Sequence, residues 1–243
     1  MNPNYEYLRA SGTKDYYNAQ QMSYKPAGKV VLVPPDVSTL VNFVSADQAF
    51  TLLLINDTDN LYNRYVGMYI DQMKGKVDLE KSLELDLDVQ CYDMLTTNAP
   101  GTPVLPSAST SSLTFKDVTL SKDASTISDW TKLEFDLNKN LIRLLKPSDG
   151  TTRALYSIIR DNSVTFTRTM ATDNGPFDEV GDIRADTART IKVLVTNRGG
   201  GSKWSYNLAG AKTDDDDYDL MKPADMVGKE IKYVGKDVTF GTS

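Results

Sequence analysis

The chain contains no histidine and a single cysteine, Cys91, among its 243 residues. Histidine is the side chain whose ordinary pKa lies nearest neutrality, and it is the commonest general base and metal ligand in proteins. Its absence excludes a Ser-His-Asp triad, a Cys-His pair, an HExxH zinc site and a haem held by histidine. The lone cysteine excludes an intramolecular disulfide, so stability must come from burial and assembly.

The sequence also lacks the features of several further classes of protein. The sequence has no run of about 18 apolar residues, so we expect no transmembrane helix and no membrane partner. The first residues, MNPNYEYLRASGTKDYY, show no basic segment followed by an apolar stretch, so we expect no ordinary secretory signal. The net charge is −6 without a basic cluster. Phosphate affinity comes from lysine and arginine, so we expect no sequence-specific nucleic-acid binding, although an acidic wall could let nucleic acid slide past.

Residues 1–28 are typical of an extended arm that is separate from the body at 29–243. Polar residues alternate there with tyrosines, and few aliphatic residues are present to build a core. Tyrosine supplies rigid, amphipathic contact area at a low entropic cost. We predict that the arm docks onto another subunit, the alternatives being a disordered leader or the first strand of the fold. Its candidate interface residues are Tyr5, Tyr7, Tyr16, Tyr17 and Tyr24.

Strand patterns dominate the body. The clearest is residues 83–89, where leucine or valine alternates with acidic residues at the period of a half-buried strand. Short runs rich in aliphatic, β-branched and aromatic residues, bounded by turn residues, predict further strands. These lie at 30–33, 40–44, 50–55, 113–115, 118–120, 156–159, 164–168, 191–196, from 203 onward, and as two short strands within 228–240.

Two segments are harder to interpret. Residues 129–146 fit either a helix or a hairpin around Asn138-Lys139-Asn140, and we favour strands because aspartate and asparagine are weak helix formers. Residues 98–112 are rich in Pro, Ser and Thr, which predicts a loop that either projects from the body or divides it into two lobes.

One helix is predicted at 60–74. Apolar residues from Leu61 to Met73 recur there at helical spacing, with Thr58 or Asp59 as the N-cap and Gly75 just past the C-terminus. The predicted fold class is therefore mainly β: sandwich or barrel-like antiparallel sheets with one short helix and an extended arm and loops.

The densest charge in the chain is an acidic run that begins at residue 214. Clustered carboxylates can hold Ca²⁺, but the spacing of an EF-hand loop is missing. Like-charge runs are usually solvated, so we predict an exposed negative surface at a lumen or a subunit boundary, and no metal or other cofactor. The candidate interface residues are Asp214, Asp215, Asp216 and Asp217.

A second set of carboxylates lies on one predicted strand, at Glu84, Asp86 and Asp88. Paired carboxylates hydrolyse glycosidic bonds, but a strand with one wet face commonly carries such a polar row. In an assembly, the row would face lysine or arginine of a partner. No nucleophile–base pair or metal signature accompanies it, so we predict that the protein is not an enzyme.

In composition and organisation, the chain resembles virion proteins of tailed bacteriophages, such as capsid, head–tail connector and tail subunits. No family motif carries the resemblance, so it implies a role and no site residues. We expect a non-enzymatic structural subunit of a large multi-copy assembly, located in the virion, whose partners are copies of itself and other virion proteins. The alternative is a carbohydrate- or Ca²⁺-binding β-module of a surface protein, cytoplasmic or at the cell surface, with Trp204 and Tyr206 as a sugar platform.

Overall fold

A computed structural model describes residues 4–9, 16–23, 27–41, 44, 49–56, 61–98, 112–147, 152–157, 162–168, 182, 186–213 and 229–242. Strands make up most of this part of the chain. They are β1 (Asn4–Arg9), β2 (Tyr16–Ser23), β3 (Ala27–Leu32), β4 (Phe50–Asn56), β5 (Leu61–Asp78), β6 (Glu84–Asn98), β7 (Val118–Lys122), β8 (Ser125–Ile127), β9 (Trp130–Asn138), β10 (Leu141–Leu145), β11 (Thr152–Ser157), β12 (Asn162–Arg168), β13 (Arg189–Thr196), β14 (Lys203–Thr213), β15 (Lys229–Gly235) and β16 (Asp237–Thr242). The single helix of four or more residues in the described part is α1 (Val37–Leu40), and a 3₁₀ turn spans Phe115–Asp117.

Most of these strands form two antiparallel sheets. The front sheet has the order β3-β6-β5-β9-β12-β15, with β4 paired to the first half of β5. The back sheet has the order β8-β7-β13-β14-β16. The mainly β, sandwich-like class predicted from the sequence is therefore confirmed.

Strand β14 joins the two sheets. Residues 204–209 pair with β16 in the back sheet, whereas Lys212 and Thr213 pair with β15 of the front sheet. Gly210 lies between these segments with φ +61°, a left-handed conformation that glycine adopts without strain. Bends of this kind are how a strand passes from one sheet of a sandwich to the other.

The hydrophobic core lies between the sheets. The predicted alternation over 83–89 is confirmed, because its four apolar side chains are all buried. Phe135 of β9 packs against Trp204 and Tyr206 of β14, with ring centroids 6.0 and 5.5 Å apart. The Tyr206 hydroxyl donates a 2.6 Å hydrogen bond to the carbonyl of Asp136, and burial raises the pKa of Tyr206.

The predicted helix at 60–74 is wrong, because β5 runs through residues 61–74. Its pairing with β6 shifts by one residue between Ile70 and Gln72, which leaves Asp71 as a β-bulge. The bulge puts a three-residue step between two buried side chains, Ile70 and Met73. That step imitates helical spacing, whereas an uninterrupted strand would show strict alternation.

Helix α1 occupies the start of the strand predicted at 40–44, so that prediction is wrong at Leu40; residues 42 and 43 lie outside the described part. Asp36 caps the helix, because its carboxylate accepts a hydrogen bond from the Thr39 N–H at 3.0 Å. The Asn197 side chain, from the turn between β13 and β14, accepts a second one from the Val37 N–H at 2.8 Å.

The strand predicted at 113–115 is also wrong. Thr114 makes one isolated bridge to Ser82, and the 3₁₀ turn begins at the next residue. The Asp117 carboxylate accepts hydrogen bonds from the N–H and the hydroxyl of Thr114, and this local cap stabilises the turn in place of a strand.

Residues 129–146 form strands, as favoured, but the hairpin is wrong. Both sides of β9 are occupied, by β5 and β12, so β10 pairs instead with β11 in a separate two-stranded sheet. The Asp71 bulge fixes the turn between β9 and β10. Its carbonyl accepts the Lys139 N–H at 2.8 Å, and its carboxylate accepts the Leu141 N–H at 2.7 Å.

The other predicted strands lie at or near their predicted positions, as β3, β4, β7, β11, β12, β13, β14, β15 and β16. Of the strand predicted at 156–159, residues 158 and 159 lie outside the described part. Of the predicted loop at 98–112, residues 99–111 lie outside the described part of the chain.

Candidate assembly surfaces

Strands β5 and β6 continue together beyond the rest of the front sheet. Strand β9 pairs only with residues 72–78 of β5, and β3 pairs only with residues 85–90 of β6. Beyond them, residues 61–68 of β5 lie between β4 and residues 91–98 of β6. We call these three segments the ribbon. Eight residues at about 3.3 Å each make it roughly 26 Å long.

Both edges of the ribbon are open within the described part of the chain. Strand β4 has β5 on one side and no described strand on the other, and residues 91–98 of β6 have β5 on one side only. The sequence of β4, FTLLLIN, has none of the lysines or prolines that protect natural edge strands. An open edge carries a row of unpaired N–H and C=O groups, which is a template for another strand.

Strand β3 is a further edge, at the end of the front sheet. Val31 is 57 % exposed on it, and Val33, just past its end, is exposed too. Lys29 would ordinarily protect such an edge, but its ammonium lies 3.5 Å from the carboxylate of Asp86 on the neighbouring strand. The edge therefore presents apolar surface beside open backbone groups.

The β10–β11 sheet presents a second apolar surface. Ile142 lies directly opposite Tyr156, which is 56 % exposed, and Leu144 is exposed beside them. The Gln90 side chain holds this sheet to β6, because its amide donates to the Leu141 carbonyl at 3.2 Å. An isolated two-stranded hairpin is marginally stable in water, so cover on the exposed face would stabilise it.

The acidic row on β6 is partly neutralised within the chain. Lys76 of β5 donates to the Asp86 carboxylate at 2.7 Å, and this hydrogen bond lowers the pKa of Asp86. Lys74 pairs in the same way with Glu134 of β9. The charge of Asp86 is therefore paired within the chain and does not require a basic residue of a partner. Exposed pairs of this kind contribute about 0–1 kcal/mol each.

An open cleft of about 380 Å³ lies on the same outer face. The half-buried carboxyl of Asp136 lines it and accepts a 3.1 Å hydrogen bond from the Ser163 hydroxyl, while burial raises its pKa. Three lysines and three aspartates line the cleft, so its charges balance and it has no net preference for an ion of either sign. They are Lys29, Lys74, Lys232, Asp86, Asp88 and Asp136.

The predicted interface tyrosines fall partly within the described residues. Tyr5 and Tyr7 lie on β1, and Tyr16 and Tyr17 lie on β2. The two strands pair antiparallel with each other, so the backbone of the arm is a hairpin there. Tyr24 lies outside the described residues. Docking of this hairpin onto another subunit stays a prediction.

The predicted acidic surface at Asp214, Asp215, Asp216 and Asp217 lies wholly outside the described residues, between the end of β14 and the start of β15. It stays a prediction. The sugar platform of the alternative function, in contrast, can be assessed. Trp204 and Tyr206 are fully buried between the sheets, so neither ring can stack on a sugar at the surface.

Sequence reasoning missed a cluster of charged and polar side chains around Asp182. The Asp182 side chain is 2 % exposed. Arg189 donates to its carboxylate through Nε at 2.9 Å and through Nη2, Lys122 lies 3.2 Å away, and the Tyr233 hydroxyl donates at 3.2 Å. Burial alone would raise the pKa of Asp182, but the hydrogen bonds from Arg189 and Lys122 outweigh it and lower the pKa. The partners come from three separate strands, so no local motif marks them.

In the part of the chain that the structure describes, no three acidic or cysteine side chains lie close enough to share a metal ion. No helix there has the length and apolar character needed to cross a bilayer. No protein-family model matches the sequence, and no curated protein matches it.

Proposed function

We propose that this protein is a non-enzymatic structural subunit whose copies join through their strand edges into a large multi-copy assembly. The observation that carries the proposal is the ribbon, which is open along β4 on one side and along residues 91–98 of β6 on the other. Natural proteins cover, shorten or charge such edges unless another strand is meant to pair with them.

The two open edges belong to different strands on opposite sides of the ribbon. Pairing β4 of one copy with β6 of the next is therefore a head-to-tail contact. Contacts of this type close into rings when the rotation between copies allows it, and otherwise continue as a filament. A ring or tube follows from this geometry more readily than a two-fold dimer does.

A single edge contact is weak. Each backbone hydrogen bond contributes about 1 kcal/mol net, and ordering the partner opposes it. Closure of a ring stabilises the assembly, because each copy then makes two contacts at once and must break both to leave. The exposed apolar faces of β3 and of the β10–β11 sheet would add buried area at the same boundaries.

We place this assembly in the virion of a tailed bacteriophage, as a head–tail connector, tail or capsid component, with copies of itself and other virion proteins as partners. The net charge of −6 supports this assignment, since a ring lined by acidic residues would let DNA pass without adhering. The carbohydrate-binding form of the alternative is less favoured, because its aromatic platform is buried. The acidic run that its Ca²⁺-binding form would use lies outside the described residues.

Thr51→Lys on β4 tests the proposal. Thr51 is exposed, so the substitution should leave the fold and the melting temperature unchanged while placing a charge on the open edge. We expect size-exclusion chromatography with light scattering to report a multi-copy species for the natural protein and a monomer of 26.9 kDa for the variant. Electron microscopy should show rings or tubes only for the former.

Leu79→Lys is the matched control. Leu79 is exposed and lies in the turn between β5 and β6, at the opposite end of these strands from the ribbon. This variant adds the same charge and should assemble like the natural protein. A natural protein that stays monomeric at high concentration, or a Thr51→Lys variant that assembles fully, would contradict the proposal.

A further inference from the structure

The outer face of the back sheet differs from that of the front sheet. Its exposed and half-buried positions carry mainly hydroxyl and amide side chains, in place of the cross-strand ion pairs of the front sheet. The polar residues in question are Thr119, Ser121, Asn207 and Thr239. Two lysines, Lys192 of β13 and Lys203 of β14, lie among them. Within the described part of the chain, neither pairs with a carboxylate.

A cleft of about 320 Å³ opens on this face, and both lysines line it. Ser205 lies in the wall of the cleft and is 6 % exposed, so it is a nearly buried polar group. Its hydroxyl oxygen accepts a 3.2 Å hydrogen bond from the Asn207 amide. The hydroxyl proton remains available for a further acceptor in the cleft.

Gly241 leaves room beside this hydroxyl. It lies directly opposite Ser205 in the pairing of β14 with β16. A Cβ at position 241 would lie 2.6 Å from the Ser205 Oγ, closer than van der Waals contact allows. The backbone at Gly241 is not left-handed, so the space above Ser205 is the physical reason for glycine at this position.

We propose that this cleft binds one oxyanion, the carboxylate or phosphate group of a ligand. Lys192 and Lys203 supply two positive charges that no carboxylate of the described residues neutralises, and the nearly buried Ser205 hydroxyl supplies a hydrogen-bond donor. Hydrogen bonds between ammonium groups and oxyanions are short and about twice as strong as neutral ones. All residues of the site lie on one copy, so the site can form without the proposed assembly.

The test uses inorganic phosphate and acetate as probes, titrated into the isotope-labelled protein at low ionic strength. Amide resonances of Ser205 and Gly241 should shift with a saturable dependence on either probe. The double variant Lys192→Gln/Lys203→Gln should weaken binding at least tenfold, and Gly241→Val should abolish it by filling the cleft. Lys146→Gln, at an exposed lysine remote in sequence from the cleft, is the control and should bind like the natural protein.

Gly241→Ala serves if the valine variant fails to fold, and it should also weaken binding. The proposal is overturned if neither probe causes saturable shifts, or if the shifts survive both the lysine and the glycine substitutions. The Thr51→Lys variant separates the two sources of the oxyanion. Phosphate binding that is tenfold tighter there than in the assembled protein assigns the cleft to a carboxylate of a neighbouring copy, and equal affinity assigns it to a free anion.

Discussion

Replacing Gly75 by alanine should lower the free energy of unfolding by about 3 kcal/mol, the upper end of what overpacking a core costs. Gly75 of β5 lies directly opposite Phe135 of β9, and the phenyl ring covers the glycine. A Cβ there would overlap three ring atoms of Phe135. The ring cannot move away, because Trp204 and Tyr206 pack against it and protein interiors have few voids.

Urea unfolding measures this effect, with an unchanged slope and a lower midpoint expected for Gly75→Ala. Gly28→Ala is the matched control, since a Cβ there meets only Val89 at an ordinary 4.0 Å. That variant should be neutral or more stable by about 0.5 kcal/mol, through the lower entropy of its unfolded chain. Replacing the phenyl ring by a smaller side chain, in the double variant Gly75→Ala/Phe135→Leu, should recover part of the lost stability. A Gly75→Ala protein as stable as the natural one would contradict this packing.

Asp182→Asn should destabilise the protein by about 3 kcal/mol at pH 7, the low end for a broken buried ion pair. The substitution keeps the shape of the side chain but removes the charge that Lys122 and Arg189 neutralise. It would remove the carboxylate charge that lies 3.2 Å from the ammonium of Lys122, a mostly buried group. Lys81→Gln is the control, because Lys81 makes an exposed pair with Asp78 and should change stability by less than about 1 kcal/mol.

The effect of Asp182 should depend on pH. Its pKa is lowered in the folded protein, so the unfolded chain takes up the proton first as the pH falls. The stabilisation is therefore complete above about pH 4, the ordinary pKa of aspartate, and is lost as the pH falls through the lowered value. The gap in melting temperature between the natural protein and Asp182→Asn should narrow below pH 4. A gap that stays constant down to pH 2 would mean that Asp182 contributes no charge interaction.

The residues show why sequence reasoning succeeded for some elements and not for others. The alternation at 83–89 is an uninterrupted strand with one buried face, so period and structure agree. The bulge at Asp71 adds one residue to β5 and breaks the same period, which led to a helix being predicted. A bulge of this kind depends on the turn that Asp71 holds near Leu141, a contact 70 residues away that no local pattern can reveal.

The exposed surfaces also depend on contacts between distant parts of the chain. Exposure of Val31 or Tyr156 depends on which strand edge and which hairpin face stay uncovered, and that follows from the order of strands in the sheet. The sequence could not predict the burial of Trp204 either, because a tryptophan in a strand pattern fits both a surface platform and a core position. The prediction that the tyrosine arm and the acidic run form interfaces remains a prediction.

Hydrogen–deuterium exchange at two protein concentrations distinguishes assembly through the ribbon from assembly through any other surface. We predict that amides in β4 and in residues 91–98 of β6 exchange slowly at the concentration where the protein is multi-copy. They should exchange quickly after dilution to the monomer, while those of β14, which is paired on both sides within one copy, stay slow throughout. Exchange in β4 that is equally fast at both concentrations, in a protein that has assembled, would exclude the ribbon as the contact between copies.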